Sequence, residues 1–130
     1  MGATPDGYDG IPYDELPIDS IEVSPDRERH LVRRQRKGVA TEIDIEPSWV
    51  AEAALDPRAL VGDGRSRNGE SIQVIGLSPS CPAPRGDSHG TVLVVYLVPT
   101  THPPNGHWLV GTAHPAGPVQ RRRYWEEDDD

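Results

Sequence analysis

The stretch "TVLVVYLVPTTHPPNGHWLVGTA", residues 91–113, is the part of the sequence that decides the fold. Its first nine residues are almost all apolar, a pattern typical of a central strand covered on both faces. Asn105–Gly106 is a strong signal for a tight turn. The segment "WLVGTA" at 108–113 is therefore expected to pair back on 91–99 as an antiparallel hairpin.

The segments on either side of this hairpin extend it into an α+β domain. "SIQVIGLS" at 71–78 predicts a further strand, and "PSWVAEAALDP" at 47–57 predicts a helix bounded by its two prolines. "DRERHLVRRQRKG" at 26–38 predicts a short basic helix, and "GPVQRRRYW" at 117–125 predicts a last helix or helical turn. The expected fold class is α+β, with N-terminal helices, then an antiparallel β-meander, then a short C-terminal helix.

Charge divides the chain into three parts. Residues 1–26 carry seven acids and no base, residues 27–125 carry all 13 Lys and Arg against nine acids, and residues 126–130 are all acidic. The acidic start is rich in proline and glycine and has only isolated apolar residues, which favours disorder. We expect a disordered acidic segment at 1–26, a single domain at 27–125 and an acidic tail at 126–130. The total of 130 residues fits one small domain.

Neither the termini nor the apolar runs indicate a membrane or secreted protein. No apolar run approaches the roughly 18 to 20 residues that a bilayer-spanning helix needs. The opening "MGATPDGYDG" lacks the basic and apolar regions of a signal peptide. Cys81 is the single cysteine, so no disulfide can form within the chain. We expect a cytoplasmic protein with no membrane role.

Two motif matches are weak. "GDSHG" at 86–90 fits the pattern of a hydrolase nucleophile elbow, but a proline-rich loop precedes it and a strand follows, where the elbow needs a strand and then a helix. His89, His102 and His107 lack paired ligand spacing and a cysteine partner, so no metal site is predicted.

A series of short motifs in the same order and spacing resembles a known family. The motifs are "RKGV" (36–39), "LDPRAL" (55–60), "GESIQVIGLS" (69–78), "GTVLVVY" (90–96) and "GTAHPAGPVQRRRY" (111–124). Over residues 30–125 they resemble the BrnT family, ribonuclease toxins of type II toxin–antitoxin pairs with a RelE-like fold. The chain departs from that pattern at three positions, because His114 and Ser71 stand where the family has arginine and Lys37 stands where it has histidine. An insertion at 40–47 is a further departure.

The resemblance implies metal-independent RNA cleavage, in which a ribose 2′-OH attacks the adjacent phosphate. Such a reaction needs a base for the hydroxyl proton and cations for the charged transition state. His114 is the predicted base or acid, because histidine changes charge near neutral pH. Arg121 is predicted to hold the phosphate, with Lys37 and Arg67 as second candidates. Further RNA-binding residues are expected at Arg33, Arg34, Arg36, Arg122 and Arg123.

The same resemblance implies RNA and a small antitoxin protein as partners, and no cofactor. Arginine clusters attract phosphate. The acidic ends are expected either to screen this basic surface until RNA or a partner competes, or to act as solubilising ends. Two alternatives stay open. One is a RelE-like module that binds nucleic acid or an antitoxin without catalysis, and the other is a protein-interaction module with no nucleic-acid role.

Overall fold

A five-stranded mixed sheet organises the computed structural model of the protein. The strands are β3 (Ser20–Glu22), β4 (Leu60–Asp63), β5 (Ile72–Ser78), β6 (Thr91–Pro99) and β7 (His107–Pro115). Their spatial order is β3-β7-β6-β5-β4, and every pair is antiparallel except β3 with β7, which is parallel. The structure describes residues 3–4, 7–8, 10–23, 46–65, 70–81, 90–101 and 103–128.

Two helices and a small hairpin complete the described part of the chain. The helices are α1 (Pro47–Ala54) and α2 (Pro118–Asp128). The hairpin pairs β1 (Ala3–Thr4) with β2 (Gly7–Tyr8), and Tyr13–Glu15 form one 3-10 turn. Of the helices in the described ranges, none is long and apolar enough to cross a membrane.

The predicted α+β class is confirmed, and the second half of the chain follows the prediction most closely. The helix expected over 47–57 is α1, and the strands expected at 71–78, 91–99 and 108–113 are β5, β6 and β7. These three strands form the expected antiparallel meander. The last helix is longer than expected, because the first three residues of the predicted tail at 126–130 belong to α2.

The expectation of N-terminal helices does not match the structure. The described residues begin with three strands and a 3-10 turn, and α1 is the one described helix before the meander. The segment 10–23, for which the sequence predicts no helix, contains Pro12 and Pro17, each of which would remove a helical hydrogen bond and clash with the preceding turn. The helix expected over 26–38 lies outside the described residues.

The central strand β6 is covered on both faces, as its apolar sequence predicts. Leu93, Val95 and Leu97 are fully buried in the core cluster on the α1 side. Val92 and Val94 are buried on the opposite side, where Tyr124 of α2 joins them. One strand therefore holds two apolar layers together, and each layer is closed by a different helix.

The N-terminal arm, residues 10–23 with Tyr8, packs against this sheet, in contrast to the disorder expected for 1–26. Trp108 of β7 is fully buried, and its indole Nε1 donates to the carbonyl of Pro17 at 2.8 Å. The ring of Tyr8, also fully buried, meets Trp108 edge to face with the centroids 5.8 Å apart. Gly106, with a φ of +103°, accepts hydrogen bonds from the backbone N–H groups of Asp19 and Ser20. A few well-placed apolar and backbone contacts thus outweigh the acidic composition.

Glu52 of α1 fixes the end of β5 through three hydrogen bonds. Its carboxylate accepts from the Ser78 hydroxyl at 2.7 Å, and from the backbone N–H and the hydroxyl of Ser80 at 3.1 and 2.8 Å. Burial raises the pKa of this carboxyl, but the hydrogen bonds from Ser78 and Ser80 lower it by more, so the pKa of Glu52 lies below its usual 4.5. The ionised form is therefore favoured in the folded protein.

We expect Glu52→Gln to lower the free energy of unfolding at neutral pH by about 1 kcal/mol, because the amide cannot accept all three hydrogen bonds. A lowered folded pKa contributes stability above the unfolded pKa, and this contribution is lost as the pH falls through the folded value. The difference in the free energy of unfolding between wild type and variant should therefore disappear in strong acid. Urea unfolding at several pH values measures it. Glu46→Gln, at an exposed position with no side-chain cap hydrogen bond, is the control. A gap independent of pH would contradict this role for the Glu52 charge.

Candidate functional site

A bulge in β7 decides which face of the sheet His114 occupies. Trp108 and Val110 point into the core on the α1 side, so simple alternation would send His114 to the same side. The register of the pairing changes at Gly111, however. Tyr96 pairs with Thr112, and Leu97, the next residue of β6, pairs with Val110, so Gly111 is an extra residue in β7. One extra residue in a strand reverses the alternation beyond it. The bulge thereby moves His114 to the face that carries α2.

That face is only partly covered by α2, and beyond the helix it carries both polar side chains and an exposed apolar one, Leu109. It carries a row of half-buried side chains on three neighbouring strands, which we call the open face: Gln73, Tyr96, Thr112 and His114. The Gln73 side-chain amide donates to the Tyr96 hydroxyl oxygen at 3.1 Å. The rings of Tyr96 and His114 lie 6.0 Å apart between centroids. The meander therefore brings a histidine, a tyrosine and an amide together on one surface.

The hydrogen bond of His114 fixes the position of its ring proton. Nδ1 lies 3.0 Å from the carbonyl oxygen of Pro115, which can only accept. The Nδ1 atom must therefore carry the proton in the neutral ring, and Nε2 keeps its lone pair. Within the described part of the chain, Nε2 has no hydrogen-bond partner. This arrangement suits a side chain that takes a proton from a bound group.

A depression of about 530 Å³ lies beside the open face, between β4, β5 and α2. The polar side chains in its lining are Asp63, Arg65, Gln73, Tyr96, Gln120 and Arg123. Two arginines against one aspartate give the lining a net positive charge, which favours an anionic group such as phosphate. The backbone N–H of Arg65 donates to the Asp63 carboxylate at 2.8 Å, and Arg65 itself has a φ of +58°. This local turn orders the strand end that borders the depression.

The three consecutive arginines of α2 point in different directions. Successive residues of a helix are separated by about 100° around its axis, so Arg121 and Arg123 lie about 200° apart. Arg123 lines the depression and also a second cavity that includes Asp14 of the arm. Arg121 is half-buried on the other flank, and its Nε atom is buried with no hydrogen-bond partner in the described residues. Arg122 is exposed. Arg123 therefore lines the depression, whereas Arg121, the phosphate-holding candidate from the sequence, is not part of its lining.

Asp56 anchors α2 in this position. Its Oδ2 atom accepts from the Tyr124 hydroxyl at 2.5 Å and from the backbone N–H of Leu77 at 2.9 Å. Asp56 and Tyr124 come from "LDPRAL" and from the final "RRRY", two of the motifs that carry the family resemblance. In the structure these two residues join the end of α1 to β5 and α2. Their contacts give both residues a structural role in this chain.

The remaining predicted site residues lie outside the described residues. These are Arg33, Arg34, Arg36, Lys37 and Arg67. His107 lies on the same face as His114 but at the far end of β7, where Nδ1 is 2.7 Å from the Ser20 hydroxyl and Nε2 is 3.5 Å from Glu22. It links β7 to the arm. Within the ranges that the structure describes, no three His, Cys, Asp or Glu side chains are grouped as a metal ion would require.

Gln73 and Tyr96 are members of the open face that the sequence does not predict. Each is a polar side chain in a strand that otherwise reads as apolar. The cross-strand pairing of Gln73 with Tyr96 brings the two together. A polar side chain inside an apolar strand is the sequence signal for such a residue. Only the pairing register, however, shows which residue lies opposite it.

Comparison with known proteins adds no further assignment. No model of a protein family matches the chain, and no curated protein matches it either.

Proposed function

We propose that this protein is a toxin-like endoribonuclease of a type II toxin–antitoxin pair, which cleaves RNA without a metal ion. The observation that carries the proposal is the position of His114. Its Nε2 keeps a lone pair, and its ring lies 6.0 Å from the ring of Tyr96, which lines a depression that Arg65 and Arg123 also border. A base and a cation that can approach the same phosphate are the minimum that 2′-OH attack requires.

The chemistry assigns a role to each of these groups. Nε2 of His114 takes the proton of a ribose 2′-OH, and the oxygen forms a bond to the adjacent phosphorus. The bond from phosphorus to the 5′-oxygen breaks, which leaves a 2′,3′-cyclic phosphate and a 5′-hydroxyl. Arg123 stabilises the charge that grows on the phosphate. Because the face is open to solvent, water can protonate the leaving oxygen.

The second candidate is a module that binds RNA, or an antitoxin protein, without cleavage. Two observations favour it. Ser71, where the resembling family has arginine, is buried at 8 % exposure. Arg121, the other family arginine, lies on the flank of α2 away from the depression. RNA binding without strand cleavage would identify this alternative. In either case we propose a small antitoxin protein as the partner and the cytoplasm as the location.

RNA binding tests the part of the proposal that both candidates share. We expect Arg123→Ala to weaken the binding of a short RNA about fivefold at low salt, because one exposed cation is worth up to about 1 kcal/mol. The affinity of the wild type should fall steeply as the salt concentration rises. Fluorescence anisotropy with a labelled oligoribonucleotide measures both effects.

Arg122→Ala is the matched control, since Arg122 is the neighbouring exposed arginine and does not line the depression. It removes the same charge from the same helix. Equal losses for the two variants would show that RNA contacts the helix without using the depression. Absent binding, or affinity that does not change with salt, would contradict a nucleic-acid role altogether.

A further inference from the structure

We infer that Tyr96 is a stacking platform for one unpaired base, so that the RNA recognised by the open face is single-stranded. This inference rests on the proposed RNA-binding function and adds the class of RNA and the residue that selects it. Four features of the structure support it: the position of the ring, its fixed orientation, the size of the depression and the charges around it.

Tyr96 is the one aromatic side chain in the described lining of the depression. It lies in the middle of the sheet on β6, and its ring is half-buried, so part of the ring surface remains accessible. The neighbouring residues of β6 on the same face, Val92 and Val94, are covered by α2. Tyr96, the next residue of β6 on this face, packs against the edge of the same cluster and stays partly accessible.

The ring of Tyr96 is held in place before any ligand binds. The Gln73 amide donates to its hydroxyl at 3.1 Å, and the ring of His114 lies beside it at 6.0 Å. An aromatic side chain with few rotatable bonds loses little entropy when a base stacks on it, and hydrogen bonding reduces that loss further. Gln73 contributes this orientation from the adjacent strand.

The space beside Tyr96 matches a nucleotide and the phosphates that flank it. The volume of about 530 Å³ lies within the range of small-ligand sites. Arg65, just after β4, and Arg123 of α2 border the depression, and Gln120 adds an amide that can hydrogen-bond a base edge. In a duplex the bases already stack on one another and cannot reach a ring on a sheet. A single strand can turn one base onto Tyr96 while its phosphates contact the arginines.

The test measures binding of a short 2′-O-methyl oligoribonucleotide, which the proposed reaction cannot cut, to the full chain. We expect Tyr96→Leu to weaken binding about tenfold, as for loss of one base-stacking contact. Tyr96→Phe keeps the ring and should stay within about twofold of wild type, since stacking needs the ring rather than its hydroxyl. The same strand annealed to its complement should bind more weakly, and Tyr96→Leu should leave that weaker affinity unchanged.

A second measurement does not depend on a variant. A 2-aminopurine placed in the single strand changes its fluorescence when it stacks, and wild type should produce that change while Tyr96→Leu should not. If Tyr96→Leu binds as tightly as wild type while Arg123→Ala is impaired, the RNA-binding proposal stands and the stacking inference is wrong. Preference for the duplex would also overturn the inference. If wild type binds neither form, both proposals fail.

Discussion

Replacing Gly76 by alanine is expected to lower the free energy of unfolding by about 3 kcal/mol, in the upper part of the range for overpacked cores. Gly76 lies in β5 where α1 crosses the sheet. A Cβ atom at this position would lie directly against the carbonyl oxygen of Ala53 and 2.8 Å from its carbonyl carbon. Both are backbone atoms, so no side chain can turn away and α1 itself must move.

Gly62→Ala is the matched control for this experiment. Gly62 is also a strand glycine, but nothing lies within 4 Å of the Cβ that alanine would add. Its effect should be close to zero, since alanine fits a strand at least as well as glycine. Urea unfolding of the two variants and of wild type gives the comparison. Equal stability of Gly76→Ala and Gly62→Ala would show that α1 does not pack on β5 as closely as described.

The consequence of Gly76→Ala reaches beyond stability. Displacement of α1 would move Asp56, which follows the helix and accepts hydrogen bonds from both Leu77 and Tyr124. Since Tyr124 fixes α2, the helix that carries Arg123 depends on the close approach at Gly76. We therefore attribute the position of Arg123 to packing on the opposite side of the sheet.

The parts of the fold that the sequence predicts are those with continuous local signals. The apolar run of β6 and the turn residues before β7 predict the meander, and the two flanking prolines predict α1. The strands β3 and β4 escape prediction because each is only three or four residues long. The partner of β3 is β7, at the other end of the chain, whereas β4 pairs with β5, the next strand, through a register that no turn motif in the sequence indicates.

The N-terminal arm escapes prediction for a related reason. Its anchoring residues, such as Tyr8 and Leu16, are isolated among acids and prolines, and composition alone favours disorder. Both are nevertheless buried, next to Trp108 and the α1-side core. A few apolar side chains can dock a segment when a surface already exists to receive them, which single-sequence patterns do not show.

The candidate site was predictable in part. The resemblance selects His114, yet strand alternation without the bulge at Gly111 would place it in the α1-side core. A glycine inside a strand is a recognised signal of a bulge, but the sequence does not say which neighbour gains the extra residue. The choice between Arg121 and Arg123 needs the rotation of α2 relative to the sheet, which tertiary packing sets.

His114→Ala is expected to reduce the rate of RNA cleavage by about 10²- to 10⁴-fold, the usual contribution of a general base. Alanine removes the Nε2 lone pair. Because His114 is only half-buried, the substitution should cost the fold little stability. The assay follows cleavage of an end-labelled oligoribonucleotide in the presence of a chelator, with the wild-type and variant proteins purified in parallel. The product of the wild-type reaction should end in a 2′,3′-cyclic phosphate, since the attacking oxygen comes from the ribose itself.

His107→Ala is the matched control, because His107 lies on the same strand and face but seven residues away, about 23 Å along β7 at the usual rise per residue. It removes an imidazole of the same type from the same strand and should leave cleavage unchanged. If both variants cleave like wild type, His114 is not the base and the cleavage must be assigned to other residues or to a contaminating nuclease. If wild type binds RNA with the expected salt dependence and cleaves none of it, the chain is the non-catalytic module, and the lone pair of His114 then serves as a hydrogen-bond acceptor for the bound RNA.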